Sequence, residues 1–166
     1  MLSLEDFKTS LTLPSPVEPF FPKWKGAEKV SLFVKRDDAI HPIMSGNKWR
    51  KLSNALPPSL PMAIVSFGGG FSNHLHALGF ICFKLGIPFT AIIRGDYSAT
   101  PSPMIKDLIQ WQTHIEYVDR ITYKKRSDSA YLNELKLQFP DAIIIPEGGS
   151  QAQALQGIKD MVDELS

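Results

Sequence analysis

A single cysteine, Cys82, stands among 166 residues, so no internal disulfide is available and a reducing compartment, the cytoplasm by default, is the expected setting. Its neighbours Phe80, Ile81 and Phe83 make it a packing residue rather than a reactive thiol. No apolar run approaches the ~20 residues that a bilayer-spanning helix needs. The first ten residues include Glu5 and Asp6 and hold no apolar stretch of the signal-peptide kind. An excess of one charge is also missing. Lys and Arg number 18 against 17 Asp and Glu, a net charge of +1. The basic residues are scattered and not interleaved with aromatics, so nothing draws the chain to nucleic acid or to an anionic membrane. Low-complexity segments and internal repeats are absent too. What remains, 43% hydrophobic and 21% charged residues, is the composition of a globular protein. The length suits one domain, or one domain plus part of another.

Along the chain, residues 1–29 carry Pro14, Pro16, Pro19 and Pro22 with Phe20, Phe21 and Trp24, which predicts an extended arm packed on a surface. Residues 31–36 read as a strand, followed by Asp37-Asp38, and a helix over 46–56 is stopped by Pro57-Pro58. The pattern then becomes regular. Apolar strands are predicted at 62–67, 89–93, 115–118 and 142–145, alternating with helices at 73–85, 101–112, 127–138 and 151–165. Short apolar strands alternating with longer helices predict an α/β fold: a twisted, mainly parallel sheet of about four strands with helices on both faces. The helix at 73–85 has almost no polar face, so more than the sheet should cover it.

Three stretches carry chemistry. Lys48, in Gly46-Asn47-Lys48-Trp49-Arg50-Lys51-Leu52, shares a helical stripe with Leu52 and Ala55 that should face inward. Burial there disfavours the ammonium, and the neutral amine is the form that adds to an aldehyde. The bland alternative is a lysine that buries its stem and snorkels to water. Ser66-Phe67-Gly68-Gly69-Gly70-Phe71-Ser72-Asn73-His74 is a strand ending in glycines at a helix start. There the backbone can approach a bound group, and free N–H groups favour a carboxylate; alternatively Ser72 or Asn73 is simply an N-cap. His74 and His76 sit two residues apart, which on a helix turns the rings to different faces, so no metal is expected. Pro146-Glu147-Gly148-Gly149-Ser150 reads as a tight turn capped by Ser150, although strand ends of this kind also bind ligands. Asp37-Asp38 is a solvated or arginine-paired loop rather than a catalytic dyad.

Taken together in chain order, Lys35-Arg36-Asp37-Asp38, the Gly46–Leu52 stretch, the Ser66–His74 stretch and Pro146–Ser150 resemble the 1-aminocyclopropane-1-carboxylate deaminase / D-cysteine desulfhydrase family. These are tryptophan-synthase-β-like (fold type II) pyridoxal-phosphate enzymes. The resemblance implies that Lys48 carries pyridoxal 5'-phosphate and that Asn73 touches the cofactor. It makes Lys48 and Ser72 the catalytic pair, and Lys51, Ser72, Asn73 and His74 the substrate contacts. His76 stands where relatives often have arginine. The implied reaction converts D-cysteine or 1-aminocyclopropane-1-carboxylate to ammonia and a 2-oxo acid. By the same resemblance, residues 1–52 are an arm, strand and lysine helix of a large domain, 53–150 a small α/β domain, and 151–166 a helix returning to the large domain. The phosphate-binding loop and the group facing the pyridine nitrogen would then lie beyond Ser166. This chain would be inactive unless a complementary C-terminal half joins it. The outer face of the 73–85 helix would meet that missing part or promote self-association. A different class of reading is a truncated, non-catalytic interaction module that folds without cofactor.

Overall fold

The computed structural model describes residues 2–57, 59–149 and 154–165. Its centre is a parallel four-stranded sheet built from β3 (Ala63–Gly69), β4 (Phe89–Arg94), β5 (His114–Val118) and β6 (Ala142–Ile145), in the order β5-β4-β3-β6. The strands alternate with α3 (Asn73–Leu85), α4 (Pro103–Gln110), α5 (Arg120–Lys124) and α6 (Ser129–Gln138). Side chains alternate faces along a strand, so each strand feeds two cores. Ile64, Ala91 and Ile93 pack with α3 and α4, whereas Val65, Phe67 and Ile92 pack with Tyr123 of α5 and Leu135 of α6. The α/β fold predicted from the alternation of apolar runs is the observed one.

The N-terminal segment is more ordered than its proline content predicts. Residues Leu4–Thr9 form α1, capped reciprocally by Ser3 and Asp6. Val17–Phe20 (β1) pairs antiparallel with Leu32–Lys35 (β2), and Pro19 lies opposite Phe33. Proline is tolerated because this is a two-stranded ribbon with open edges. A groove of about 720 Å³ on the ribbon is lined by Phe20, Phe21, Trp24 and Phe33 among others.

The apolar helix α3 is covered from within the chain. Phe7 of α1 lies 6.4 Å from the Phe80 ring and 6.1 Å from the Trp49 ring. Leu11, Ile40, Met44, Trp49 and Leu52 join the same core as Leu75, Leu78 and Ile81. The outer face expected to meet a missing domain is therefore packed against α1 and α2 (Asn47–Leu52). Phe83 of α3 stays 46% exposed, and on the ribbon and the residues after it Phe33 is 63% and Phe21 86% exposed.

Helix α2 is shorter than the predicted 46–56. Ser53 closes it by hydrogen-bonding its hydroxyl back to the Arg50 carbonyl at 3.1 Å, a local bond that competes with further helix. Against α2 lies α7 (Ala154–Asp163); the predicted start of that helix at 151–153, like Ser150 before it, lies outside the described residues. The approach is so close that a Cβ on Gly157 would sit 1.7 Å from the Arg50 carbonyl oxygen. Only glycine fits that crossing.

Arg50 also locks α2 in place. It is 3% exposed. Its guanidinium donates to Asp37 at 2.8 and 3.2 Å and to Glu164 at 2.6 and 2.9 Å. The Ser15 hydroxyl donates to Asp37 at 2.6 Å, and Lys35 pairs with Glu164 at 2.6 Å. The Arg50 hydrogen bonds outweigh burial, the next largest effect, and with Lys35 hold the Glu164 carboxyl down to about 2. Burial alone would raise Asp37, but the Arg50 and Ser15 hydrogen bonds outweigh it and hold it below the usual carboxylate range. Asp37 is thus arginine-paired through Arg50, and Asp38 through Arg36 at 2.8 Å. Among the described residues no helix is long and apolar enough to cross a membrane.

Candidate active site

Three segments converge beside the C-terminal end of β3: α2, the first turn of α3, and the 3-10 turn Glu147–Gly149 that follows β6. Strand alternation places Ser66 on the α3 side of the sheet, in register with Ile145. The Ser66 hydroxyl lies 2.8 Å from His74 Nε2 and 2.8 Å from the Ile145 carbonyl oxygen. His74 is 3% exposed. Its other ring nitrogen, Nδ1, is buried and has no hydrogen-bond partner among the described residues. A buried acceptor left in that state costs on the order of 1–3 kcal/mol, and such atoms are rare enough in native folds to need a reason.

The surroundings of Nδ1 are polar and cationic. A Cβ built on Gly149, whose φ is +68°, would lie 3.7 Å from His74 Nδ1 and 3.5 Å from Lys51 Cβ. The Lys51 stem, the Gly149 backbone and the bare nitrogen therefore border one small space. Burial is the main cause that brings the His74 imidazole down to about 4; the charges of Lys48 and Lys51 push the same way, and Glu147 opposes them. At neutral pH the ring is uncharged. Lys48 itself is half-buried on α2, between exposed Asn47 and buried Trp49. Of the predicted inward stripe, Leu52 is fully buried, while Lys48 and Ala55 are half-buried.

Ser72 is the N-cap of α3 and accepts from the Leu75 N–H at 3.2 Å. It is half-buried and Asn73 is exposed, so both stand at the helix mouth with the first-turn N–H groups. The glycines before them serve packing more than backbone reversal, since none of the three adopts a positive φ. A Cβ on Gly70 would penetrate the Tyr97 ring at 2.2 Å, and the Ser102 hydroxyl donates to the Gly70 carbonyl. His76 turns away from His74: Nε2 meets Asp107 at 2.8 Å, and its ring stacks on Trp111 at 5.1 Å.

Of the residues predicted from sequence, the structure brings Lys48, Lys51 and His74 into one electrostatic neighbourhood, with Ser72 and Asn73 at the start of the same helix as His74. Sequence reasoning missed Ser66, which reads as an ordinary strand residue, and Glu147, whose charge reaches His74. A polar residue on the sheet face shared with Ile64 is the only signal that could have singled out Ser66.

These residues fit the reactive end of an aldehyde cofactor: a half-buried primary amine, a buried uncharged acceptor and a capped helix start lie together in one place. No family model matches the chain. Among solved structures it is similar to an ACC deaminase homologue, at 22% identity and TM-score 0.68, with 91% of this chain and 47% of that one covered. A pyridoxal 5'-phosphate-dependent aspartate racemase matches at 17% identity and TM-score 0.62, covering 91% and 45%. Serine racemase from Dictyostelium discoideum matches at 15% identity and TM-score 0.66, covering 91% and 46%. The chain spans less than half the length of each of these proteins. Its four-stranded parallel sheet flanked by helices is the fold that it shares with part of each of these proteins.

Proposed function

We propose that this chain carries the lysine-bearing part of a pyridoxal 5'-phosphate-dependent site acting on a small amino acid. The reading is a deaminase or desulfhydrase that releases ammonia and a 2-oxo acid from D-cysteine or 1-aminocyclopropane-1-carboxylate. The observation that carries it is the Nδ1 of buried His74, unpartnered among the described residues, beside Lys51 and in the field of Lys48. Lys48 is the amine that would hold the cofactor. Ser72 and Asn73 receive the substrate carboxylate at the start of α3, where free N–H groups and the helix dipole favour an anion. Ser72 is also the candidate for moving a proton at the substrate, and Lys51 and His74 orient it. When bound, the cofactor supplies an electron sink for the carbanion left by proton removal or ring opening.

The chain covers under half the length of the ACC deaminase homologue, and the proposal concerns the residues that this part contributes. The ribbon groove lined by Phe20, Phe21, Trp24 and Phe33 favours a second reading, a cofactor-free interaction module docking through those aromatics. Pyridoxal phosphate added to the purified chain separates the two. A coloured adduct, reducible by borohydride and mapped to Lys48, is expected and should vanish in Lys48→Ala. Absence of any Lys48-dependent adduct, with the fold intact, would leave only the module.

A further inference from the structure

The Ser66 hydroxyl has one proton and two close neighbours. The Ile145 carbonyl at 2.8 Å can only accept, so the Ser66 proton belongs to it. The contact at 2.8 Å to His74 Nε2 is then a hydrogen bond only if Nε2 carries a proton and donates it to Ser66 Oγ. The opposite tautomer would oppose lone pairs at one of the two contacts. A neutral imidazole protonated on Nε2 has its free lone pair on Nδ1, the buried atom beside Lys51 and Gly149 that has no partner among the described residues. Ser66 is completely buried, so water cannot take over either bond.

From this geometry we infer that Ser66 is a positioning residue: anchored by the Ile145 carbonyl, it fixes His74 as the Nε2–H tautomer and so presents Nδ1 as a permanent acceptor to an N–H donor in the space bordered by Lys51 and Gly149. The inference deepens the proposed amino-acid site, whose substrate brings an ammonium group of that kind, but it does not need the cofactor to be tested. Three charged groups act on the ring, Lys48 and Lys51 against protonation and Glu147 for it. The neutral ring is therefore the state in which the tautomer matters.

The test is long-range proton–nitrogen NMR of the full chain labelled with ¹⁵N in histidine, at neutral pH and without cofactor. His74 should show a protonated-type Nε2 and a bare, pyridine-type Nδ1, as one tautomer. In Ser66→Ala the Nε2–H loses its acceptor, and the spectrum should become that of a tautomer mixture. Ser66→Cys keeps the volume with a much weaker acceptor and carries the comparison if the alanine variant fails to fold. A wild-type His74 protonated on Nδ1, or exchanging between tautomers, would overturn the inference with no variant needed. So would a folded Ser66 variant with an unchanged tautomer. A fixed tautomer without any Lys48 adduct would sink the cofactor reading and leave this one standing. The converse pair of results would do the reverse.

Discussion

Two buried polar clusters share the six-residue helix α2, and they differ in how completely they are satisfied. On one side Arg50 meets Asp37, Glu164 and Ser15, and Lys35 closes the ring of charges from β2. On the other side Lys51 and the field of Lys48 border a histidine whose Nδ1 has no partner among the described residues. A buried charge that breaks one contact is costly, so a cluster with every contact made serves the fold. A buried acceptor with none is a cost that folding alone does not explain. Adjacent residues of one motif, Arg50 and Lys51, thus face architecture and chemistry respectively. Basic residues in a shared stretch are not interchangeable signs of a site.

The sharpest way to break this comparison is Arg50→Ala. It leaves Asp37 and Glu164 buried without their common partner, and should lower stability by about 3–5 kcal/mol, read as a fall in the urea midpoint at constant slope. Arg50→Lys should recover only part of the loss, because an ammonium cannot fork to two carboxylates. A loss below about 1 kcal/mol would mean that the cluster does not hold α2 against α7.

The two clusters should also lose their contributions in different pH windows. Both groups have folded values below their unfolded ones, so the unfolded chain binds protons first and stability falls as pH falls. For His74 the window runs from its ordinary 6.5 down to about 4, worth at most about 3 kcal/mol. For Glu164 it runs from 4.5 to about 2. Urea midpoints measured between pH 7.5 and 2.5 should therefore decline in two stages. His74→Gln should shrink the upper stage to what His41, also lowered by burial, contributes there, and leave the lower. An undiminished upper stage in that variant would assign it to another group.

How much of this was legible beforehand depended on sequence distance. The helix at 73–85 and the strand at 142–145 are legible in the sequence, because continuous apolar runs and the turn residues Ser72 and Asn73 are local signals. Helix α1 was lost to the prolines that follow it, although Ser3 and Asp6 spell a cap. Helix α5 was missed although Asp119 caps it, accepting from two N–H groups. The pairing of Arg50 with Glu164 spans 114 positions, and nothing local marks it. The candidate site divides the same way. Lys48, Ser72 and His74 lie in motifs, whereas the roles of Ser66 and Gly149 exist only once β3, β6 and α2 are packed together.

Ser72 tests whether a motif residue serves both sides of the comparison. As N-cap it accepts from Leu75, so Ser72→Ala should cost about 1 kcal/mol, whereas Ser72→Gly should cost only a few tenths. Ser72→Asp keeps the cap and adds a negative charge where a substrate carboxylate is proposed to lie. It should restore stability without restoring carboxylate binding, measured by displacement with a small amino acid once Lys48 is loaded with cofactor. Recovery of both in the aspartate variant would confine Ser72 to capping.

The smallest stability effect is expected at the residue of greatest chemical weight. Lys48 is half-buried, and alanine is the better helix former, which offsets lost contacts of the stem. Lys48→Ala should therefore move the unfolding free energy by less than about 1 kcal/mol. The same change removes a positive charge that disfavours protonation of His74, so the imidazole should titrate at a higher pH than about 4, seen in an NMR titration of the labelled ring. That direction is a stringent demand. If Lys48→Ala leaves the His74 titration where it was, then Lys48 does not face the imidazole, and the lysine and the bare nitrogen do not belong to one site, however well each fits its own surroundings.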